Sequence, residues 1–530
     1  MNILLITRAM LVSMALSLTC ALFTGCGAGS VESLAGGTVS RAQNPLVAIY
    51  TIEAGCQGQV MVEFGPTTAY GRSTAWYPTP QSAFQPTSIL VAGMKPSTTY
   101  HMRSDVQCGN STSNSGDTTF TTGALPSLDF PTLTVTRPNP SLRSSENPGI
   151  EMMDIAVDDV PAFFTDRDGN VIWYYSVPGY SLSTMKFLSN GHLITSWANA
   201  ALNSTDSFLR EIDLSGNIIR SLDIAALATQ LQKGGFDFAP ISFHHDVLPL
   251  PNGHLIVLVN STKAFTNLPG YPGTVQVLGD QVVDLDQNWN VAWAWNSFDY
   301  DGNGMDINRH LNGLPDWTHS NALVYSPDDG NILLSMRHQS WILKLNYSNG
   351  AGDGSILWHL GYEGDFALDV AGVVTDDPGE WFSFQHFPSL VSQNGSLTTL
   401  AVWDNGDFRL NNAGMACGLA GGGQIIPCYS RATIFQVDEG SLVANLAWND
   451  QQQLYGLWGG SINQLANGNV EFDLNSPATP PSPNVASRVQ EVTQTSSPQV
   501  IWQMDVSPST SNAYRAYRVP SLYPGVTWQF

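Results

Sequence analysis

Residues 247–259 read "VLPLPNGHLIVLV": an apolar run, a Pro-Asn-Gly turn, and a second apolar run. Asn-Gly between such runs is a strong signal for a tight hairpin, because the turn needs left-handed backbone that Asn and Gly adopt readily. The same phrase recurs as "FLSNGHLITSW" (187–197), "LVYSPDDGNILLSM" (323–336), "SLVSQNGSLTTLAV" (389–402) and "NQLANGNVEFDL" (463–474). Each is followed by a second hairpin: "LREIDLSGNIIRSLDI" (209–224), "VVDLDQNWNVAWAW" (282–295), "ILKLNYSNGAGDGSILWHLG" (342–361), "ATIFQVDEGSLVANLAW" (432–448) and "RVQEVTQTSSPQVIWQM" (488–504). An isolated second hairpin, "AFFTDRDGNVIWYY" (162–175), precedes them all. Two hairpins make a four-stranded blade, and blades repeated along a chain close around an axis. Five full units, plus one split between residues 130–175 and the C-terminal "YRAYRVPSLYP" (514–524), predict a six-bladed β-propeller over residues 130–530. Trp173, Trp293, Trp358, Trp448 and Trp502 fall near one phase of the repeat, which predicts packing between blades.

Composition agrees with an all-β chain. Only 12% of the 530 residues are charged, with 48 Gly and 31 Pro, and no long segment of helical period follows the N-terminus. The net charge of −23 argues against nucleic acid and anionic membrane surfaces as partners. An anion would have to be held by a few local cations. The N-terminus, "MNILLITRAMLVSMALSLTCALFTGCGAGS", has one positive residue (Arg8), an apolar run, then small residues around a cysteine. That is an export signal. "LFTGC" resembles a lipoprotein processing box, which makes residues 1–26 a signal peptide and Cys26 the lipidated residue. The expected location is the periplasm or cell envelope, with membrane contact only through that anchor. Four cysteines then remain in an oxidising compartment. Four allow three pairings; proximity in sequence favours Cys56–Cys108 and Cys417–Cys428.

Residues 45–125 alternate in short strands, and "GMKPSTTYHMRS" (93–104) places Tyr100 after a Gly-x-x-Pro turn. This resembles fibronectin type III domains, in which such a tyrosine locks a corner of the sandwich. The fold class expected is therefore all-β, a fibronectin III-like sandwich (45–125) followed by the propeller.

A propeller has no activity of its own, so function is sought where side chains converge on the channel mouth. Counting back from each first-turn glycine, His245 lies 8 before Gly253, His386 lies 9 before Gly395, and His319 lies 11 before Gly330, whose turn is longer. All three begin a blade's first strand and so share one end of the channel. Arg337 ends the strand that returns from His319, which brings it back to that end. "FHHDVLPLPNGH", "DWTHSNALVYSPDDGNILLSMRHQSWILKL" and "FSFQHFPSL…LAVWDNGD" resemble the bacterial arylsulfate sulfotransferases over roughly residues 150–525. That resemblance implies transfer of a sulfuryl group from a phenolic sulfate donor to a phenol acceptor, without a nucleotide donor and with no cofactor. It makes His386 the nucleophile that becomes sulfo-histidine, with His245, His319, Asn321 and Arg337 the residues that hold the sulfate and assist the phenol oxygens. The family's threonine falls in "YGLWGGSINQL", where Ser461 is expected to replace its hydroxyl as a substrate-binding residue; otherwise Gly459 and Gly460, at the histidine phase, open the pocket.

The chemistry suits these residue types. Sulfuryl transfer spreads charge over equatorial oxygens, as phosphoryl transfer does, and needs preorganised donors. Arg337 offers a planar fork, Asn321 an amide, and a neutral imidazole is a good nucleophile near pH 7. Three other readings compete: a propeller that only binds an anion or partner, an aryl sulfate hydrolase, and a histidine zinc site. The zinc reading lacks a carboxylate or cysteine that clearly completes it, and Arg337 would repel a cation. His244 is expected to support His245, while His192 and His254, after turn glycines, face solvent at the opposite end. "DYDGNGMD" (299–306) matches the start of a calcium loop, but His310 stands where its closing Glu belongs, so an irregular loop is expected.

Overall fold

The computed structural model describes residues 36–81, 85–199, 206–309, 313, 315–418, 420–421, 424–478, 484–508 and 510–529. Residues 1–26, read above as an export signal ending at Cys26, and His310 lie outside the described residues. Beyond residue 130 the chain builds antiparallel sheets around four core strands each. Sheet I joins Ala513–Val519, from the far end of the chain, to Ile150–Ile155, Ala162–Thr165 and Val171–Tyr175. Sheet II is Ser181–Phe187, Leu193–Ala198, Ser207–Ile212 and Ile218–Asp223. Sheet III is Ser242–Pro249, Leu255–Leu268, Tyr271–Leu285 and Val291–Asn296, and sheet IV is Ser320–Ser326, Asn331–Met336, Trp341–Leu345 and Ile356–Leu360. Sheet V is His386–Asn394, Leu397–Asp404, Arg431–Asp438 and Val443–Gln451, extended by Ala367–Val370 in parallel. Sheet VI is Ser461–Gln464, Val470–Asn475, Ser487–Val492 and Val500–Ser507, with Thr132–Thr136 added at its edge.

The first strands of sheets II to VI pack in sequence, each on the next; Ser461–Gln464 then meets Ala513–Val519, and Ile150–Ile155 meets Ser181–Phe187. The circuit closes on itself, and the fold is propeller-like. Strands such as Asn331–Met336 are buried throughout because neighbouring sheets cover both faces. Four of the five phased tryptophans donate across to a neighbouring sheet, while Trp358 packs edge-on against Phe366 with its Nε1 buried and without a hydrogen-bond partner. Trp173 Nε1 donates to the Leu214 carbonyl at 2.7 Å, Trp293 to Gly352 at 3.0 Å, Trp448 to Thr495 at 2.9 Å and Trp502 to Arg167 at 2.8 Å. In sheet II the same position is Arg220, whose guanidinium donates to the Gln287 carbonyl at 2.6 Å. Among the described residues one α-helix, Ile224–Gly234, interrupts the strands; Asp223 caps its first turn, accepting from Ala226 N, and Gly235 ends it in left-handed backbone. The sequence reading had no helix there.

The N-terminal strands form two sheets. Thr38–Arg41, Ala48–Ile52 and Thr87–Val91 make one; Gln59–Gly65 and Thr99–Cys108 are the centre of the other. Tyr100 Oη accepts from the Lys95 backbone N–H at 3.0 Å, a side chain reaching back across the corner. Both disulfides are formed as the sequence reading paired them, Cys56–Cys108 and Cys417–Cys428. After sheet I is complete, the last residues reach into the N-terminal sheets. Trp528 is 1% exposed, stacks edge-on against Phe64, and donates to the Ser73 carbonyl; Tyr523 accepts from Ala92 N and donates to Leu90 O.

Candidate active site

The first strands of sheets III, IV and V each carry a β-bulge at the same end. Register shifts fall between Phe243 and Val247, Ser320 and Ala322, and His386 and Ser389. His245 (φ +53), His319 (φ +47) and Phe387 (φ +41) adopt left-handed backbone there. Such conformations are costly for non-glycine residues and persist only where surrounding contacts fix them. Bulges re-aim side chains that a regular strand would send alternately up and down. Here they turn the histidines toward one another.

His386 is 2% exposed and its Nδ1 lies 2.7 Å from Asn405 Oδ1. Asn405 Nδ2 donates to the carbonyls of Gly456 and Gly459, both at 3.1 Å, so its oxygen must face the imidazole. An amide oxygen only accepts, and therefore Nδ1 carries the proton while Nε2 keeps a lone pair. That lone pair meets the Gly459 N–H at 3.2 Å. Burial first, then the positive Arg337, hold His386 well below the ordinary histidine range, so it is neutral at pH 7.

The other imidazoles are oriented through the same nitrogen, by different partners. His319 Nδ1 lies 2.6 Å from Asp316 Oδ2. His245 Nδ1 lies 2.8 Å from His244 Nδ1, and His244 Nε2 is 3.3 Å from Asp280. Burial works to raise Asp280, yet His244, the Ser320 N–H and the Thr318 hydroxyl bring it down to about 2. His245 is pushed well below its ordinary value by burial and then by His244, His319 and His386. His244 thus touches His245 directly, the supporting place expected of it. The rings of His245 and His319 are 4.9 Å apart, and Tyr514 lies 5.6 Å from His245 and 6.0 Å from His386.

Arg337 reaches this group through its backbone, whose N–H donates to the His319 carbonyl at 3.2 Å. Its Nη2 donates to Asp407 at 2.8 Å, its Nη1 lies 2.8 Å from His338 Nε2, and its Nε is buried without a hydrogen-bond partner. Burial raises Asp407 to about 6, Arg337 opposing it. Asn321 is fully buried; its Nδ2 donates to the Gln385 carbonyl at 2.7 Å, tying the strand after His319 to the residue before His386. Ser461 is also fully buried, and its hydroxyl donates to the Ala516 carbonyl at 2.6 Å and accepts from the Ala516 N–H. The structure therefore puts Ser461 in the seam between sheets VI and I. Gly459, not Ser461, brings a donor to His386.

Several residues of this group escaped the sequence reading: Asn405, Asp407, Asp316, Asp280, His338, Tyr514 and Arg515. Asn405 and Asp407 lie inside "LAVWDNGD" and Asp316 opens "DWTHSNAL", so the signal for those three was their place in the motifs. The carboxylate that the zinc reading lacked is present: Asp316, His319 and His338 bring ligand atoms within 4.8 Å of one another. Arg337 Nη1 on His338 Nε2 sets a positive charge beside that cluster. His192 and His254 are half-buried against Glu211 and Asp284 rather than simply solvent-facing. In the calcium-like loop, Asp301 Oδ1 accepts from the Ile307 N–H, an irregular-loop use of the side chain.

A propeller-like scaffold here brings imidazoles and an arginine together at the ends of neighbouring first strands. The arylsulfotransferase (ASST) family model matches residues 147–518, and the chain belongs to that family. No curated protein matches the chain significantly. Among solved structures, a Lactobacillus plantarum protein is similar at 10% identity, covering 87% of this chain and 99% of its own, with a TM-score of 0.37. A dihydro-heme d1 dehydrogenase, NirN, is similar at 12% identity over 73% of this chain and 80% of its own, with a TM-score of 0.31. A quinonprotein alcohol dehydrogenase-like protein from Bacteroides thetaiotaomicron is similar at 9% identity over 93% and 98%, with a TM-score of 0.31. Likeness this loose says nothing about activity.

Proposed function

We propose that the protein moves a sulfuryl group from a phenolic sulfate to an acceptor phenol through a sulfo-histidine at His386. The observation that carries this reading is the Asn405 amide, which leaves Nε2 of a neutral, buried imidazole as the reactive atom, within the field of Arg337. Nε2 attacks the sulfur, the bond from sulfur to the phenolic oxygen breaks, and that oxygen takes a proton from a neighbouring imidazole. The acceptor phenol then returns its proton to the same imidazole as its oxygen attacks sulfur, and the N–S bond breaks. His319, backed by the Asp316 carboxylate, is suited to carry that proton, with His245 beside it. The neutral amide on His386 adds no charge and so favours the nucleophile. Arg337 and the Gly459 N–H, freed when Nε2 bonds to sulfur, face the sulfuryl oxygens. Asn321 acts through its bond to Gln385, and Ser461 through the seam it holds.

In this reading the sheets I to VI are the six blades of a propeller closed by Ala513–Val519, supported by the first-strand circuit and the crossing tryptophans. The N-terminal pair of sheets is a fibronectin III-like sandwich, supported by the Tyr100 corner. The leader exports the chain to the periplasm or cell envelope, with Cys26 as its lipid anchor; two disulfides fit an oxidising compartment. The test is phenol release from an aryl sulfate with and without a second phenol. A transferase releases faster with acceptor and sulfates it. A hydrolase yields free sulfate without acceptor, and a binding protein does neither.

A further inference from the structure

We propose that Arg515 is the positioning residue of this site: from the strand that closes the ring, it pins the three backbone bulges that aim His245, His319 and His386. Its Nη1 donates to Asp246 Oδ1 at 3.1 Å, and Asp246 lies inside the bulge between Phe243 and Val247. Its Nη2 donates to the carbonyl of Asn321, the extra residue of the bulge between Ser320 and Ala322. Its guanidinium lies 4.6 Å above the ring of Phe387, inside the bulge that starts at His386. One planar group thus touches sheets III, IV and V, each next to a histidine of the site. Both Arg515 and Asp246 are 1% exposed. Asp246 extends the tie, accepting from the Leu323 N–H at 2.9 Å with its other oxygen and from Val247 N with the first. The left-handed backbone at His245, His319 and Phe387 needs such over-determination to persist. A guanidinium serves here because it makes divergent hydrogen bonds and stacks on an aromatic face at once.

Arg515 also places a fixed positive charge beside the imidazoles. His386 faces Arg337, Asn405, His319 and Tyr514 as well, and His245 faces His244, His319 and Tyr514. Around Arg515 itself lie Asp246, Asp154, Lys186 and the phenols of Tyr514 and Tyr517. The Arg515 charge acts to lower both His245 and His386.

The inference rests on the sulfuryl-transfer reading for its kinetic arm, and its second arm is independent of activity. Arg515→Lys keeps the charge and loses the fork. It should fold, show kcat lower by about 10²-fold, as misplacement of reacting groups by roughly 1 Å does, and leave KM and the pH profile in place. Arg515→Met removes the positive charge and leaves Asp246 paired with Lys186. There the imidazole titrations of His245 and His386, read by NMR on the whole protein, should move to higher pH, because a charge that lowers both is gone. A folded Arg515→Lys protein with wild-type kcat would overturn the proposal, and so would unmoved titrations in Arg515→Met. Loss of fold in both variants would make Arg515 a fold residue only, which also overturns it. If the wild-type protein transfers nothing, the functional reading fails, while the titrations still decide whether Arg515 governs the histidines.

Discussion

Asn405 decides which nitrogen of His386 keeps its lone pair, the nitrogen proposed to react, and it does so through two backbone carbonyls of the loop before sheet VI. Replacing Asn405 by Ala removes that choice and should lower kcat by roughly 10²–10⁴-fold, between the cost of a lost orienting partner and that of a wrong tautomer. Asn405→Asp makes a sharper test. A carboxylate on Nδ1 stabilises the imidazolium, so the acid limb of kcat/KM should move to higher pH. In the wild-type enzyme the sign runs the other way. His386 is held well below its ordinary value, so it stays deprotonated as pH falls through about 6.5, and activity that depends on it should be lost only at lower pH. A pH–rate profile with a leaving group that needs no acid reads this directly. Arg337→Lys should cost about 2.7–4 kcal/mol of transition-state stabilisation, since a point charge cannot replace the fork. The histidine phase was legible in the sequence because each residue is a fixed step from a turn glycine. Arg515 was not: it meets Asp246 across 269 residues, and nothing local in "AYRAYRV" announces that contact.

Among the elements, the turn before sheet VI has the tightest requirements. Gly459 (φ +66) brings its N–H to His386, and a Cβ there would lie 2.6 Å from Asn475 Nδ2. A Cβ on Gly460 would meet Trp403 Nε1 at 2.4 Å. Gly459→Ala should therefore destabilise by more than about 1 kcal/mol and lower kcat further than its stability loss explains, measured by thermal unfolding beside single-turnover rates. The glycines were visible in the sequence at the histidine phase; their use was not, because it depends on the side chain of a neighbouring sheet. The hairpins were legible from their Asn-Gly and Asp-Gly turns, and the crossing tryptophans from their phase. Arg220 in place of a tryptophan hid the same contact in sheet II. The helix Ile224–Gly234 was missed although Asp223 and Gly235 mark both its ends, because the strand period on either side dominated the reading.

At the scale of the molecule, the C-terminal residues tie the ring of sheets to the N-terminal sheets. The strand that carries Arg515 pairs with Ile150–Ile155, and the residues after it seal the N-terminal sheets with Trp528. Trp528→Ala should cost about 3–5 kcal/mol and expose the N-terminal sheets to limited proteolysis before the sheets that hold the site. The whole account turns on the covalent step at His386. The direct measurement is to mix the purified protein with an aryl sulfate and no acceptor, then map the product by mass spectrometry without acid. The account predicts one sulfuryl group gained, on a peptide containing His386, and its loss when a phenol is added. Phenol-dependent transfer with no label on that peptide, or undiminished transfer in His386→Ala, would contradict it.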